Sequence, residues 1–432
     1  MKKVVLIMIM LCLFLCSCTP PVEPKITVDS ASTETPIITQ FHTNRPQKIH
    51  FDIRRVELPE KTDDVLLAYY KGDGSDISKV YREDLWGLVN TNGEVIDLSK
   101  EQIANTFFPF FENGYKSIYT NEGRSGYING KGEIRFIDLA KNEALIDVLS
   151  EENGKTYCSI VTIEDQWLLS YDRMSVCMWD DFLVISCWNQ NALSNENCFI
   201  INLDGTVLFQ SVQSSQSHIY MGDGWMACYD GGADVFGALY GLENVYYLNL
   251  ITGEVKEKGY IESICFGEKG QPSAYSDYAE DKGQYASGYL NLCGEEILAL
   301  QYKSALPFSE DCAVVQYIGE EGFRYIDIDG KKIFDGTFVE AMPFSEGLAA
   351  VSFDGEKYGY IDKTGKFVIE PIYSCGALFE LFWEAFEEKS DELGQFHNGY
   401  AMVANAEEGW AAYIDKTGKE VFRFSVPVST EE

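Results

Sequence analysis

Residues Lys357–Tyr373 read KYGYIDKTGKFVIEPIY, and the fold follows from how this stretch turns back on itself. Tyr358, Tyr360 and Ile361 precede the turn; Phe367, Val368 and Ile369 follow it. Aromatic and β-branched residues suit a pleated strand. Between them, Asp362-Lys363-Thr364-Gly365 supplies an Asp that accepts from its own backbone two residues on and a Gly that tolerates positive φ. That is the chemistry of a type I turn closed by a glycine bulge, so the stretch is predicted to be a β-hairpin.

The same phrase returns as AAYIDKTGKEVF at Ala411–Phe422. Looser copies run up the chain, with turn glycines at Gly93, Gly132, Gly205, Gly253, Gly294 and Gly330. Successive turn glycines are separated by 39, 73, 48, 41, 36, 35 and 53 residues. The basic period is about 35 to 40 residues, within the range of repeat architectures. The long gap before Gly205 is close to two periods; within it Tyr157–Leu169 is expected to be a degenerate hairpin turning at Glu164-Asp165. A second phrase lies between hairpins: Pro343–Val351 (PFSEGLAAV) matches Pro307–Val315 (PFSEDCAVV), and Phe396–Val403 (FHNGYAMV) is a third version. Val65–Tyr70 ahead of Leu85-Trp86-Gly87 repeats the arrangement near the start. One unit is thus strand, loop, strand, turn, strand. Three strands hide neither face alone, so neighbouring units must stack.

The order FSEGLAAV, KYGYIDKTGKFVI, EPIY resembles the WG-repeat family of bacteria. Only Leu85–Val89 (LWGLV) keeps the Trp-Gly pair; Tyr358-Gly359 has Tyr in its place and Gly409-Trp410 reverses the order. The match is strong over Gly288–Phe422, moderate over Val65–Ile137 and weak between Asp138 and Ser287. The resemblance implies an all-β repeat array, often exported, with no catalytic residue set. A propeller-like ring and an open β-solenoid both satisfy the stacking requirement, and only the ring removes exposed end units. Lys48–Leu58 (KIHFDIRRVEL) is strand-like and is expected to close a ring by pairing with the last unit. One helix is expected in the insertion 376–394, where Leu378, Phe379, Phe382, Trp383 and Phe386 fall on one broad face.

Residues 1–18 read as a signal segment: Lys2 and Lys3, an uncharged run Val4–Leu15, then Leu15-Cys16-Ser17-Cys18. The run is too short to span a bilayer comfortably. Its end resembles a bacterial lipobox, in which Cys18 takes the lipid. Residues 19–47, rich in Pro, Ser and Thr, read as a disordered tether. The repeat array then occupies 48–432. The expected place is therefore the extracytoplasmic face of the cell membrane.

A formal charge of −34 argues against a nucleic-acid partner, which needs a basic face, and against adsorption to an anionic bilayer except through a lipid. Nine cysteines follow Cys18, widely spaced and without a CxxC pair, so they are expected to be small buried hydrophobes rather than disulfide or zinc ligands. His42, His50, His218 and His397 are dispersed, and no phosphate loop, GxGxxG or GxSxG pattern occurs. No cofactor or metal is assigned. The recurring Asp327, Asp362 and Asp415 belong to the turns. The residues best suited to bind a ligand are aromatics where the repeat breaks down: Trp179, Trp188, Trp225, and Phe382, Trp383 and Phe386 of the insertion. The favoured expectation is a non-catalytic binding module for an envelope glycan, peptide or protein; the alternatives are an envelope glycan hydrolase and a structural spacer.

Overall fold

The computed structural model describes residues 48–71, 86–98, 103, 114–120, 122–165, 168, 171, 173–188, 197–211, 216–230, 238–374, 394–405 and 408–426. Among them the chain is all-β, in sheets that are antiparallel but for one strand pair and are stacked in sequence order, with no α-helix. The signal segment, the tether and residues 376–393 of the insertion expected to be helical lie outside the described residues.

The Tyr360 unit shows how the repeat phrase folds. Leu348–Ser352, Tyr358–Asp362 and Phe367–Tyr373 form antiparallel strands, with the two-residue strand Glu340–Ala341 at one edge. The Asp362 carboxylate accepts the N–H groups of Thr364 and Lys366 at 2.8 and 3.2 Å, and Gly365 has φ of 79°. The turn is the one its letters predict. Gly359 is explained by close approach: a Cβ there would stand 2.5 Å from the Ile369 carbonyl, where the register of the third strand shifts. Gly288 meets the Leu298 carbonyl in the same way. The glycine of the Tyr358-Gly359 pair is thus a packing requirement, and that of Trp86-Gly87 makes room for the Tyr69 ring, 2.9 Å from an added Cβ.

The same hairpin recurs in the Trp86 unit (Leu66–Tyr70, Trp86–Asn90, Val95–Ile96) and the Tyr127 unit (Tyr115–Tyr119, Ser125–Asn129, Ile134–Ile137). It recurs in the last, Tyr413 unit (Tyr400–Asn405, Trp410–Asp415, Glu420–Ser425). All eight turn glycines found in the sequence have positive φ. The middle is less regular. A seven-stranded sheet runs from Phe51–Glu57 through Lys155–Ile163 and Glu143–Glu152 to the strands between Arg173 and Ser211. Its two halves join by one parallel pair, Val176 with Ile146. A nine-stranded sheet follows, in which the long strands Val255–Cys265 and Glu296–Ala305 start in one unit and end paired with the next.

Two expectations are corrected. Lys48–Leu58 does not pair with the last unit: Phe51–Glu57 pairs with Lys155–Ile163 in the middle of the chain. Phe51 and Ile53 share one apolar face of that sheet, and Val56 packs on the other. Nor does a hairpin turn at Glu164-Asp165. The hairpin is Glu143–Glu152 with Lys155–Ile163, turning at Asn153-Gly154, where both residues have positive φ. Asp165 instead accepts the His50 N–H at 2.6 Å.

The core lies between units rather than within them. Buried Leu348, Ala350, Tyr358, Tyr360 and Ile369 pack on Phe396, Val403, Ala412 and Ile414 of the next unit. One hydrogen bond repeats at these interfaces. The Tyr289 hydroxyl donates to the Leu306 carbonyl at 2.8 Å, Tyr325 to Met342 at 2.7 Å, and Tyr360 to Gly394 at 2.7 Å. The PFSEG phrase adds a second stitch. Ser309 and Ser345 donate to the Phe344 and Phe396 carbonyls, while Glu310 and Glu346 accept the N–H groups of Gly347 and Gly399. Lys363 and Lys416, from the hairpin turns, pair with those glutamates.

The last unit meets the first in the same manner. The Tyr413 hydroxyl donates to the Ala68 carbonyl at 2.9 Å, although 345 residues separate them. Met402, Ala411, Tyr413, Phe424 and Val426 share one buried cluster with Leu67, Trp86, Leu88 and Val89. Trp86 meets Phe424 edge-on at 6.4 Å. Because this contact repeats the inter-unit bond, Tyr413→Phe is expected to cost about 1 kcal/mol, the usual net worth of such a bond. Tyr325→Phe should cost as much. Urea midpoints of the two variants check this; a cost at Tyr325 with none at Tyr413 would mean that the two ends are apart in solution.

Candidate functional site

The strand Arg173–Trp179 ends in a two-residue turn, Asp180-Asp181, where Asp180 takes φ of 51°, before Phe182–Trp188 returns. This places Trp179 at the turn end of its hairpin, against the strand Gln216–Gly222 of the next unit. There its indole stacks on the Tyr220 ring, with centroids 5.4 Å apart and planes 11° from parallel. His218 meets the indole edge-on at 5.8 Å. The Tyr220 hydroxyl donates to Asp180 and accepts the Gly224 N–H at 3.0 Å. Lys269 pairs with the same Asp180 carboxylate and lies 5.8 Å from the Tyr220 ring centre. The result is half-buried Trp179 stacked on buried Tyr220, with one anion and one cation at the exposed rim.

The electrostatics follow from these contacts. Hydrogen bonds from Lys269 and then Tyr220 hold the Asp180 carboxyl below its ordinary range. Burial, then the bond to Asp180, pushes the Tyr220 phenol up to about 12. At neutral pH Asp180 is thus a carboxylate and Tyr220 a neutral phenol. Flat apolar surface beside fixed donors and acceptors suits a ligand with an apolar face and hydroxyl edges. Behind the stack, burial lowers the basicity of His218, whose Nε2 lies 3.0 Å from Cys198 Sγ.

The expected aromatics do not form one site. Trp188 stands opposite Arg173 at the far end of the same hairpin, six residue pairs from Trp179. That is roughly 20 Å at strand spacing. Trp225, half-buried, packs into the next apolar cluster and lies 5.2 Å from the Lys256 ammonium. Phe382, Trp383, Phe386 and the lipid-attachment residue Cys18 lie outside the described residues. The turn aspartates are accounted for: Asp327, Asp362 and Asp415 each accept two backbone N–H bonds within their own turn. Among the described residues, no cluster of three or more His, Cys, Asp or Glu is placed to hold a metal. All eight described cysteines are free; five are buried and Cys177, Cys265 and Cys293 are half-buried.

One group escaped the sequence reading. Glu340 is only 7% exposed, in a row across the sheet with Ser352, Tyr358 and Tyr373. Its Oε2 and the Tyr358 hydroxyl are buried without hydrogen-bond partners. Burial, with the nearby Asp354 carboxylate second, pushes the Glu340 carboxyl up to about 7. Asp354 itself is occupied, accepting the N–H groups of Glu356 and Lys357 and the Ser352 hydroxyl. The only signal in the sequence was a Glu at an inward position of FVEAM, too short a stretch to fix a strand's register.

An open depression of about 670 Å³ lies elsewhere, between the Ala279–Lys282 turn and Glu296, Ala299 and Leu300. None of the aromatics named above lines it.

No curated protein matches this chain. Among solved structures, the β-propeller domain of the Trilobed protease from Pyrococcus furiosus is 10% identical, over 57% of this chain and 87% of that one, with a TM-score of 0.28. PorZ, a bacterial surface component of the type-IX secretion system of Porphyromonas gingivalis, is 12% identical over 86% of this chain and 53% of that one, at 0.24. An α-L-arabinofuranosidase from Clostridium thermocellum is 12% identical over 56% and 81%, at 0.16. Likenesses this slight say nothing about function. Residues 288–319, 323–356 and 358–374 match the family described as WG containing repeat, and over that stretch the chain is similar to those repeats.

Proposed function

We propose that this protein is a lipid-anchored repeat array on the extracytoplasmic face of the cell membrane. It acts there as a non-catalytic binding module for an envelope glycan, peptide or protein. The units form a propeller-like ring, a reading supported by the Tyr413–Ala68 bond repeating the interface bond of Tyr289, Tyr325 and Tyr360. The observation that carries the binding reading is the Trp179–Tyr220 stack with Asp180 and Lys269 at its rim. It stands where the repeat departs from its consensus, which is where scaffold proteins carry specificity. A glycan fits best, because a sugar's C–H face lies on an aromatic plane while its hydroxyls reach the charged rim. Anchoring rests on the lipobox letters ending at Cys18, since the acidic body gives an anionic bilayer nothing to hold.

Glu340 supports the second reading, an envelope glycan hydrolase, because a carboxyl held up to about 7 has the protonation of a general acid. The pair that hydrolysis needs is weak here: Asp354 is committed to its own turn and Glu340 is enclosed.

Three measurements separate these readings. Trp179→Ala should weaken retention on isolated cell envelopes by about tenfold, the worth of one aromatic stack. Trp225→Ala, a comparable loss from the core, should leave retention unchanged; equal retention for wild type and Trp179→Ala sinks the binding site. Cys18→Ala should move the protein from the membrane fraction to the soluble one. Undiminished membrane recovery of that variant would remove the anchor. The third is a pH titration of stability. An unfolded Glu340 releases its proton near the ordinary 4.5, whereas the folded one keeps it to about 7. Stability should therefore fall as pH rises through that window, by about 3 kcal/mol. Glu340→Gln should abolish the fall, matching wild type at pH 5 and exceeding it at pH 8. If Glu340→Gln instead removed a glycan-hydrolysing activity, the non-catalytic reading would be wrong.

A further inference from the structure

Lys256 lies in the long strand Val255–Cys265, and Cys293 lies in the hairpin turn of the following unit. The Lys256 Nζ stands 3.2 Å from the Cys293 Sγ. Neither group is loosely placed. The turn is pinned by the Asn291 Oδ1, which accepts the N–H groups of Cys293 and Glu295 at 3.1 and 2.9 Å. Its Gly294 is pressed against the preceding unit, where an added Cβ would stand 2.1 Å from the Tyr247 ring. The Cys293 thiol in turn donates to the Asn291 Oδ1 at 3.2 Å. The lysine is held by Glu295 at 2.7 Å and sits 5.2 Å from the centre of the Trp225 ring. Cys293 is half-buried, whereas Cys158, Cys187, Cys198, Cys228 and Cys312 are buried, so a small oxidant reaches it more readily.

We propose that Cys293 and Lys256 are an oxidative modification site, joined through a reversible sulfur–nitrogen bond when hydrogen peroxide oxidises the thiol. In the first step the Cys293 sulfur attacks peroxide. An S–O bond forms, the O–O bond breaks and one water leaves, giving a sulfenic acid. Sulfenic acids condense with a nearby nitrogen. In the second step the Lys256 amine, having passed a proton to Glu295, attacks that sulfur. The S–N bond forms, the S–O bond breaks and a second water leaves. One peroxide is reduced to two waters, and the thiol–amine pair loses two electrons and two hydrogens. A small thiol reverses the link by attacking the sulfur and releasing the amine; a second thiol then frees Cys293 from the mixed disulfide. Glu295, ahead of the thiol, holds Lys256 protonated above the usual range, so the condensation quickens as pH rises.

The bond would clamp one unit to the next at the point where turn glycine and preceding sheet already touch. It makes the array an oxidant-responsive scaffold, linked by closing a 3.2 Å contact.

The test is peptide mass spectrometry of the full chain after treatment with hydrogen peroxide. A linked pair of peptides carrying Lys256 and Cys293, lighter than their sum by two hydrogens and separated by dithiothreitol, is expected. The melting midpoint should rise on oxidation and return on reduction. Lys256→Arg keeps the charge but should yield no link and leave Cys293 to proceed to sulfinic acid. Cys293→Ser should yield neither product and keep the wild-type circular dichroism. Wild-type Cys293 that is found only as sulfinic or sulfonic acid, or unmodified, or bridged through a retained oxygen, overturns the proposal.

Discussion

A tyrosine hydroxyl reaching the next unit's backbone carbonyl is the contact on which this structure depends. A three-stranded sheet leaves apolar side chains on both faces, and here each face is covered only by its neighbour. Apolar contact alone fixes neither distance nor rotation between sheets. The bonds from Tyr289, Tyr325 and Tyr360 do, because each sets a buried donor against one particular carbonyl. Leaving such a hydroxyl unpaired would cost about 1 to 3 kcal/mol, so the stacking geometry is selected as well as stabilised. When Tyr413 finds Ala68, the last unit treats the first as its successor.

The glycines serve the same stacking. Gly365 closes its own turn, but the turn also lies against Phe334 of the preceding unit, and Gly418 lies against Ile369. The ion pairs of Lys363 with Glu310 and Lys416 with Glu346 tie the same corner from the surface. These pairs are partly exposed, and such pairs are individually worth little. The serine and glutamate bonds to backbone carry more of the register, since their partners are fixed main-chain groups. In the middle of the chain this corner is built differently. Long strands cross from unit to unit, so neighbours there are joined by hydrogen-bonded sheet, with the Tyr289 stitch added at one such crossing.

That irregular middle is also where Trp179 is exposed to use. In the repeat units, buried aromatics such as Tyr325 and Tyr360 spend their rings on the interface and their hydroxyls on the next backbone. Trp179 instead stacks on a tyrosine whose hydroxyl bonds an aspartate that a surface lysine also holds. The same chemistry that seals one interface leaves a decorated edge at another.

The sequence by itself determined the hairpins. Asp-x-x-Gly and Asn-x-x-Gly, with Asn249-x-x-x-Gly253 one residue longer, are local instructions of four or five consecutive residues, and every turn glycine read from the chain takes positive φ. It determined, too, that units must stack, because the alternation of buried and exposed positions leaves no face self-sufficient. Only the tertiary structure decided which partner each strand takes. Phe51–Glu57 has the pattern of a strand but no local mark of its mate, and it found Lys155–Ile163 rather than the last unit. The turn at Asn153-Gly154 was hidden for a related reason: a positive φ at Asn competes with several other Asn and Asp positions nearby, and burial of Cys158, Ile160 and Val161 settled the register. Glu340, Trp179 with Tyr220, and Lys256 with Cys293 all depend on side chains brought together from separate strands or units. No spacing in one dimension encodes such meetings; they exist because packing the apolar faces fixes where the remaining polar groups must lie.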